Sequence, residues 1–350
     1  MKYFTYISLS LLLLFNASCK EKSRFAIDTE DIPVNISIER FDKDIYLLRT
    51  GNVAQKADSL KKIYGSFLDI YTQNILEIGT FGTPTDSLTK KPTPFHAPVD
   101  AKTEIVKMWQ DSMVNVVYQD CLLEYANTTD IEKELSEAFR YFHHYFPKKQ
   151  IPRVLFHFSG FHQTVVFTDS IVSASIEHYL GSDYPLYADV AYQYEVPNMT
   201  REQLPIDIVH AWIQRYYESN ISNERLIDMM IYEGKVQYLL SIFFPKYSES
   251  DIIGYTKEQY EWSIRNEKNI WGHIIEQKHL FSNNWKETAG YMNPGPFTSG
   301  LSQESPSKLG VWIGFRIVQQ YAENNKNVSL KELMDDTNSQ RILELSNYRP

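Results

Sequence analysis

His210 and Glu233 are the residues of this chain best placed to do chemistry. His210 follows Ile206 by four residues and precedes Tyr217 by seven, so it shares the apolar face of a predicted helix over 203–218 with Val209 and Ile213. Glu233 interrupts the apolar stripe Leu226, Met229, Met230, Val236 and Leu240 of the next predicted helix, over 224–243. A carboxylate in such a stripe is costly unless it is hydrogen-bonded, paired or bound to metal. Two successive helices that each carry one such group predict that His210 and Glu233 face each other. The chemistry open to them is a buried structural hydrogen bond or a metal site. Gly234, next to the carboxylate, gives up about 1 kcal/mol relative to alanine in mid-helix. That cost predicts the close approach of another backbone.

The spacing of the pair resembles the zincin arrangement, in which one helix carries His-Glu-x-x-His and a following helix supplies a glutamate as third zinc ligand. Catalytic zinc needs three protein ligands and an open position for water, with a separate glutamate as general base. Here the first helix reads His210-Ala211-Trp212-Ile213-Gln214. Ala211 cannot accept a proton, and the neutral amide of Gln214 is a poor zinc ligand. The expectation is therefore a structural pair, His210 with Glu233, on a vestigial site with no catalytic residue, no metal and no cofactor. The alternative is a zinc-dependent envelope peptidase with an unusual ligand set. It would draw its third ligand from His157, His162, His178 or His273, and its base from elsewhere.

Other candidates have plainer explanations. His157 and His162 flank a strand turn at a spacing of five, which matches no helical pair. His143 and His144 close a predicted helix, where a cation meets the negative end of the dipole. Gly310 and Gly314 form a small-residue face, which predicts tight helix packing, on a helix expected to start with Ser305 as N-cap and Pro306 at N1. Neither a serine elbow nor a phosphate-binding glycine loop nor a CxxC pair is present.

The elements that must position these groups are mostly helical. Val34, Ile36 and Ile38 alternate with polar residues and predict a strand over 34–41. Helical patterns follow over 53–78, 101–125 and 129–146, the last opened by the capping-box pair Thr129 and Glu132. The stretch 81–99, rich in Pro and Thr, reads as a loop. Short β-branched and aromatic runs over 154–158, 164–167 and 171–176 predict adjacent strands. Beyond Arg201 the pattern is helical over 203–218, 224–243, 257–279, 306–323 and 329–345. The loop 290–304, with Asn293, Pro294 and Phe297, is expected to form a mobile rim.

The chain has 350 residues, 43% of them apolar and 14% aromatic, enough for a sizeable core in one domain over 31–350. Forty-four acidic against 35 basic residues leave a net charge of −9, which excludes a nucleic-acid footprint. Cys121, within an apolar run, is expected to be a buried core residue. At the start, Lys2 precedes an apolar run over 3–15, then Asn16, Ala17, Ser18 and Cys19. This is a lipoprotein signal over 1–18 in relaxed form, since Asn16 stands where leucine is usual. The plainer alternative is an ordinary signal peptide with an incidental cysteine. The expectation is lipid on Cys19 and a flexible tether over 19–30. Lys20 lacks the inner-membrane retention signal of an aspartate, so the anchor is expected in the outer membrane, facing the periplasm.

Four blocks carry a specific resemblance: Ser175 to Tyr187 (SIEHYLGSDYPLY), Asp207 to Ile213 (DIVHAWI), Ile231 to Lys235 (IYEGK) and Gly310 to Gly314 (GVWIG). Together they resemble the gliding motility lipoprotein GldB family over the whole mature chain. The resemblance implies a lipid-anchored cell-envelope protein needed for bacterial gliding, with partners in the gliding and secretion apparatus. The chain is further similar to a family of zinc-dependent peptidases in which the His210 block is a full His-Glu-x-x-His. Those likenesses imply an α+β fold, a mostly helical zincin-like scaffold with a small mixed β-sheet. The function expected is a non-catalytic component or stabiliser of that machinery. A polysaccharide- or peptide-binding lipoprotein ranks lower, supported only by 24 Tyr and 6 Trp.

Overall fold

The structure, a computed structural model, describes residues 24–81, 101–217 and 225–350. The leader 1–18, Cys19, Lys20 and most of the expected loop, 82–99, lie outside the described residues.

Four short strands make one mixed sheet: β1 (Ile38–Glu39), β2 (Arg153–His157), β3 (Val165–Phe167) and β4 (Ile171–Ser175). Their order is β1-β2-β4-β3, with β3 alone antiparallel, at the edge. Val154 pairs with Ile38 on one side and Val172 on the other, and His157 pairs with Ser175. β4 is buried along its whole length, as expected of a parallel strand covered on both faces.

The expected strand over 34–41 shrinks to β1. The alternation is right, since Val34, Ile36 and Ile38 are buried, but the backbone finds other partners. The Ile36 amide donates to Ser136 Oγ (2.8 Å), the Ile38 amide to Glu132 Oε1 (2.8 Å), and Arg140 Nε donates to the Val34 carbonyl (2.9 Å). Glu132 is thereby spent on the strand and forms no capping box with Thr129.

The first helices are α1 (Phe41–Tyr46), α2 (Val53–Tyr64) and the single turn α3 (Phe67–Ile70). Gly65, at φ 58°, divides the single helix expected over 53–78. Asp111 likewise divides the next, by capping the amides of Met113 and Val114, which leaves α4 (Ala101–Gln110) and α5 (Ser112–Glu124). Then come α6 (Thr129–Tyr145), the single turn α7 (Tyr187–Val190), α8 (Gln203–Tyr216) and α9 (Leu226–Phe243). α10 (Glu249–Ile253) was not expected. α11 (Lys257–Glu276) was, and α12 (Trp285–Met292) takes the first residues of the expected rim. The chain closes with α13 (Leu309–Asn324), α14 (Leu330–Asp335) and α15 (Ser339–Ser346). This is a mostly helical α+β chain with a small mixed sheet.

Two apolar clusters fill it, and α9 feeds both. Val236, Leu239, Leu240 and Ile242 join the cluster built on the sheet and α6, which includes Cys121. Leu226, Ile227, Met230 and Ile231 join the one built on α11, α13 and α15. The tether expected over 19–30 is shorter than that at its far end. Phe25 is buried edge-on against Tyr145 and Tyr238, and Arg24 donates to the carbonyls of Lys326 and Val328.

Candidate functional site

α8 buries Leu204, Ile206, Ile208, Val209, Trp212 and Ile213, and Trp212 Nε1 ties it to the Gln150 carbonyl at 3.0 Å. What remains on one side is a polar stripe, Gln203, Asp207, His210 and Gln214, spaced so that successive side chains stack along one helix face. Gln203 Nε2 donates to Asp207 Oδ1 (3.0 Å) and the Tyr179 hydroxyl to Asp207 Oδ2 (2.8 Å).

α9 brings Glu233 to the middle of this stripe. His210 Nε2 lies 3.4 Å from Glu233 Oε2, and Gln214 Nε2 donates to Glu233 Oε1 at 3.2 Å. The pair is less buried than the apolar pattern predicts: the side chains keep 27% and 21% of their exposure, respectively. Burial pushes the Glu233 carboxyl up, but the hydrogen bond and charge of His210, the charge of Lys308 and the Gln214 amide outweigh it and hold the group below its ordinary range.

Lys308 reaches the site because two helices touch backbone to backbone. A Cβ on Gly234 would lie 2.3 Å from the Gly314 carbonyl, and one on Gly314 only 1.8 Å from the Met230 oxygen. The approach predicted from Gly234 is therefore that of α13, which brings the charge of Lys308 to bear on Glu233. Lys308 caps that turn with φ +55°, a left-handed conformation unusual for a side-chain-bearing residue. Flanking hydrogen bonds hold it there: Tyr255 to the Ser307 carbonyl (2.6 Å) and Thr298 Oγ1 to the Pro306 carbonyl (2.8 Å). Ser305 is thus not the N-cap and Pro306 not N1. Helix geometry starts at Leu309, and Ser305 Oγ instead accepts from the Thr298 amide (3.2 Å).

Burial lowers the Lys308 ammonium, against the charges of Asp207, Glu233 and Glu195, all within its electrostatic reach. Glu195 is itself raised by burial, with Lys308 opposing. Beside it Tyr192 and Tyr194 stack at 5.3 Å and 9°, with Tyr192 largely exposed. A separate cavity of about 280 Å³ opens between Asn198, Gln203, Tyr247, Asp251 and Tyr255, and Gln203 links it to the stripe.

The other histidines stand apart from this site. His157 is fully buried at the end of β2, its Nδ1 2.7 Å from Ser173 Oγ. Burial pushes its imidazole down to about 4, with the Glu177 charge opposing and His178 reinforcing. Glu177, also buried, accepts from the Ser159 amide (2.7 Å), the Ser159 hydroxyl (2.8 Å) and the Phe161 amide (3.1 Å). His178 packs on Phe161, His162 is exposed on the turn, and His273 packs on Tyr291 of α12. None of the four joins His210 and Glu233: among the described residues no three His, Cys, Asp or Glu are grouped to hold a metal ion. Of the expected rim, Asn293 and Pro294 are exposed and Phe297 is half-buried, while Thr298 is buried and bonded into the start of α13.

Sequence reasoning missed Asp207, Glu195 and Lys308. Asp207 had a signal, its place in the same helix-face series as His210 and Gln214. Lys308 had none, because only the crossing of α9 and α13 delivers it.

A mixed sheet wrapped by helices, with an imidazole, a carboxylate and an amide closed on one another beside a lysine, defines an α+β protein built around a polar inter-helix cluster. The chain belongs to the gliding motility protein GldB family, whose model matches residues 22–350. Neither the curated proteins nor the solved structures contain a match. It is thus a gliding motility protein, and that role associates it with the cell envelope. No helix among the described residues is long and apolar enough to cross a membrane.

Proposed function

We propose that this protein is a lipid-anchored, non-catalytic component or stabiliser of the gliding and secretion machinery, built on a degenerate zincin-like scaffold. The observation that carries the reading is the closed circuit around Glu233. The three positions at which a zincin holds its metal are occupied here by His210, Gln214 and Glu233, and the first two each meet one oxygen of the Glu233 carboxylate. Both carboxylate oxygens are engaged, the amide turns its N–H toward the carboxylate, and Ala211 can take no proton. These donors do not fit a catalytic zinc, which needs free lone pairs from three ligands and a base. The carboxylate is held ionised by His210 first, with the charge of Lys308 and the Gln214 amide adding to it. Lipid on Cys19 would hold the domain on the outer membrane, and envelope proteins of the apparatus would bind at the polar cluster and its rim.

Metal analysis of the purified protein tests this. Zinc should be far below one per chain and unaffected by His210→Ala. Stoichiometric zinc that is lost in His210→Ala would restore the peptidase reading.

A further inference from the structure

We infer that the face of the domain carrying Arg24, Lys326 and Lys331 rests on the lipid bilayer, with the His210–Glu233 cluster held at the far end of α13. The inference rests on the lipid anchor proposed at Cys19 and adds which way the domain faces.

The argument begins with the length of chain between anchor and fold. Five residue steps separate Cys19 from Arg24, and each covers at most about 3.8 Å between Cα atoms, so the lipid-bearing residue lies within about 19 Å of Arg24. A globule of roughly 330 residues is about 50 Å across. The leash is therefore shorter than the domain it holds, and only the side around Arg24 can meet the lipid.

Arg24 is a firm attachment point. Its guanidinium binds the carbonyls of Lys326 and Val328 (3.1 Å to Val328) and lies 4.4 Å over the Phe25 ring. The Phe25 carbonyl accepts from the Tyr145 hydroxyl at 2.7 Å. The chain is thus clamped to the end of α6, to Tyr238 of α9 and to the α13–α14 turn.

The surroundings suit anionic headgroups. Lys20 and Lys22 precede Arg24 in sequence. Lys326, Lys331 and Lys148 are exposed, Lys331 paired with Asp335, and Lys149 lies within electrostatic reach of Asp335, Lys331 and Arg215. Basic residues beside a lipid anchor strengthen its hold on an anionic surface. α13 then sets the height of the site. Its 16 residues run from Lys308 to the clamped turn, about 24 Å at 1.5 Å per residue.

The test uses full-length protein in vesicles of phosphatidylethanolamine and phosphatidylglycerol that carry a headgroup quencher. A fluorophore is placed at Lys326→Cys or at Glu304→Cys, both exposed. Quenching should be several-fold stronger at position 326. An insert of about twenty Gly-Ser residues between Ser23 and Arg24 adds roughly 25 Å of reach and should largely remove the difference. Mass spectrometry of the same preparation separates the two readings. Protein without lipid overturns anchor and docking together, whereas lipidated protein quenched equally at both positions, or more strongly at position 304, overturns the docking alone.

Discussion

Single residues decide the chemistry of this molecule, and two clusters show how. At the first, the Gln214 amide donates to the Glu233 carboxylate that His210 also faces, and the charge of Lys308 helps to hold that carboxylate ionised. At the second, His157 is neutral because no water reaches it. Its folded pKa of about 4 lies below the ordinary 6.5, so the unfolded chain takes up a proton that the fold refuses. The His157 contribution is complete above about pH 6.5 and drains away as pH falls toward 4, about 3 kcal/mol in all. Urea unfolding across that range should show wild type losing more stability than His157→Gln, which cannot titrate. Parallel curves would show that the ring titrates in the fold as freely as outside it. The facing of His210 and Glu233 was legible because each breaks an apolar stripe. The partial exposure of the pair was not, because a polar stripe on α8 opens that side to solvent.

At the level of elements, glycine sets the crossing that builds the site. α9 and α13 approach until a Cβ on Gly314 would lie 1.8 Å from the Met230 oxygen, so no side chain fits between them. Gly314→Ala must push the helices apart and should cost at least about 1–3 kcal/mol, the usual range for overpacking. It should also move Lys308 away from Glu233. Thermal melts read the first effect, and the NMR titration of Glu233 in acid reads the second. An unchanged melting temperature would show that the crossing is looser than described. This packing was legible from Gly234 and Gly314, while Gly310 packs on Tyr291 and Met292 of α12. Two helix starts were misread because distant residues take part: Thr298 supports the start of α13, and Glu132 serves β1 instead of its own helix. A capping pattern in sequence states what a side chain could bind, and the fold chooses among its partners.

Across the whole molecule, α9 stands between two apolar clusters and supplies side chains to each. The division of the interior into two clusters was not legible, since it depends on which helices meet. Leu155→Ala in the sheet cluster and Ile317→Ala in the other should each cost about 2–5 kcal/mol. Calorimetry should show both variants lowering one common transition. Two peaks, each sensitive to only one substitution, would mean that the clusters unfold separately.

The shared helix has a mechanical consequence. A body with a seam yields along it when pulled. With its central rod embedded in both halves, this molecule has no weak plane at its middle, so load entering on one side is passed to the other rather than absorbed by opening.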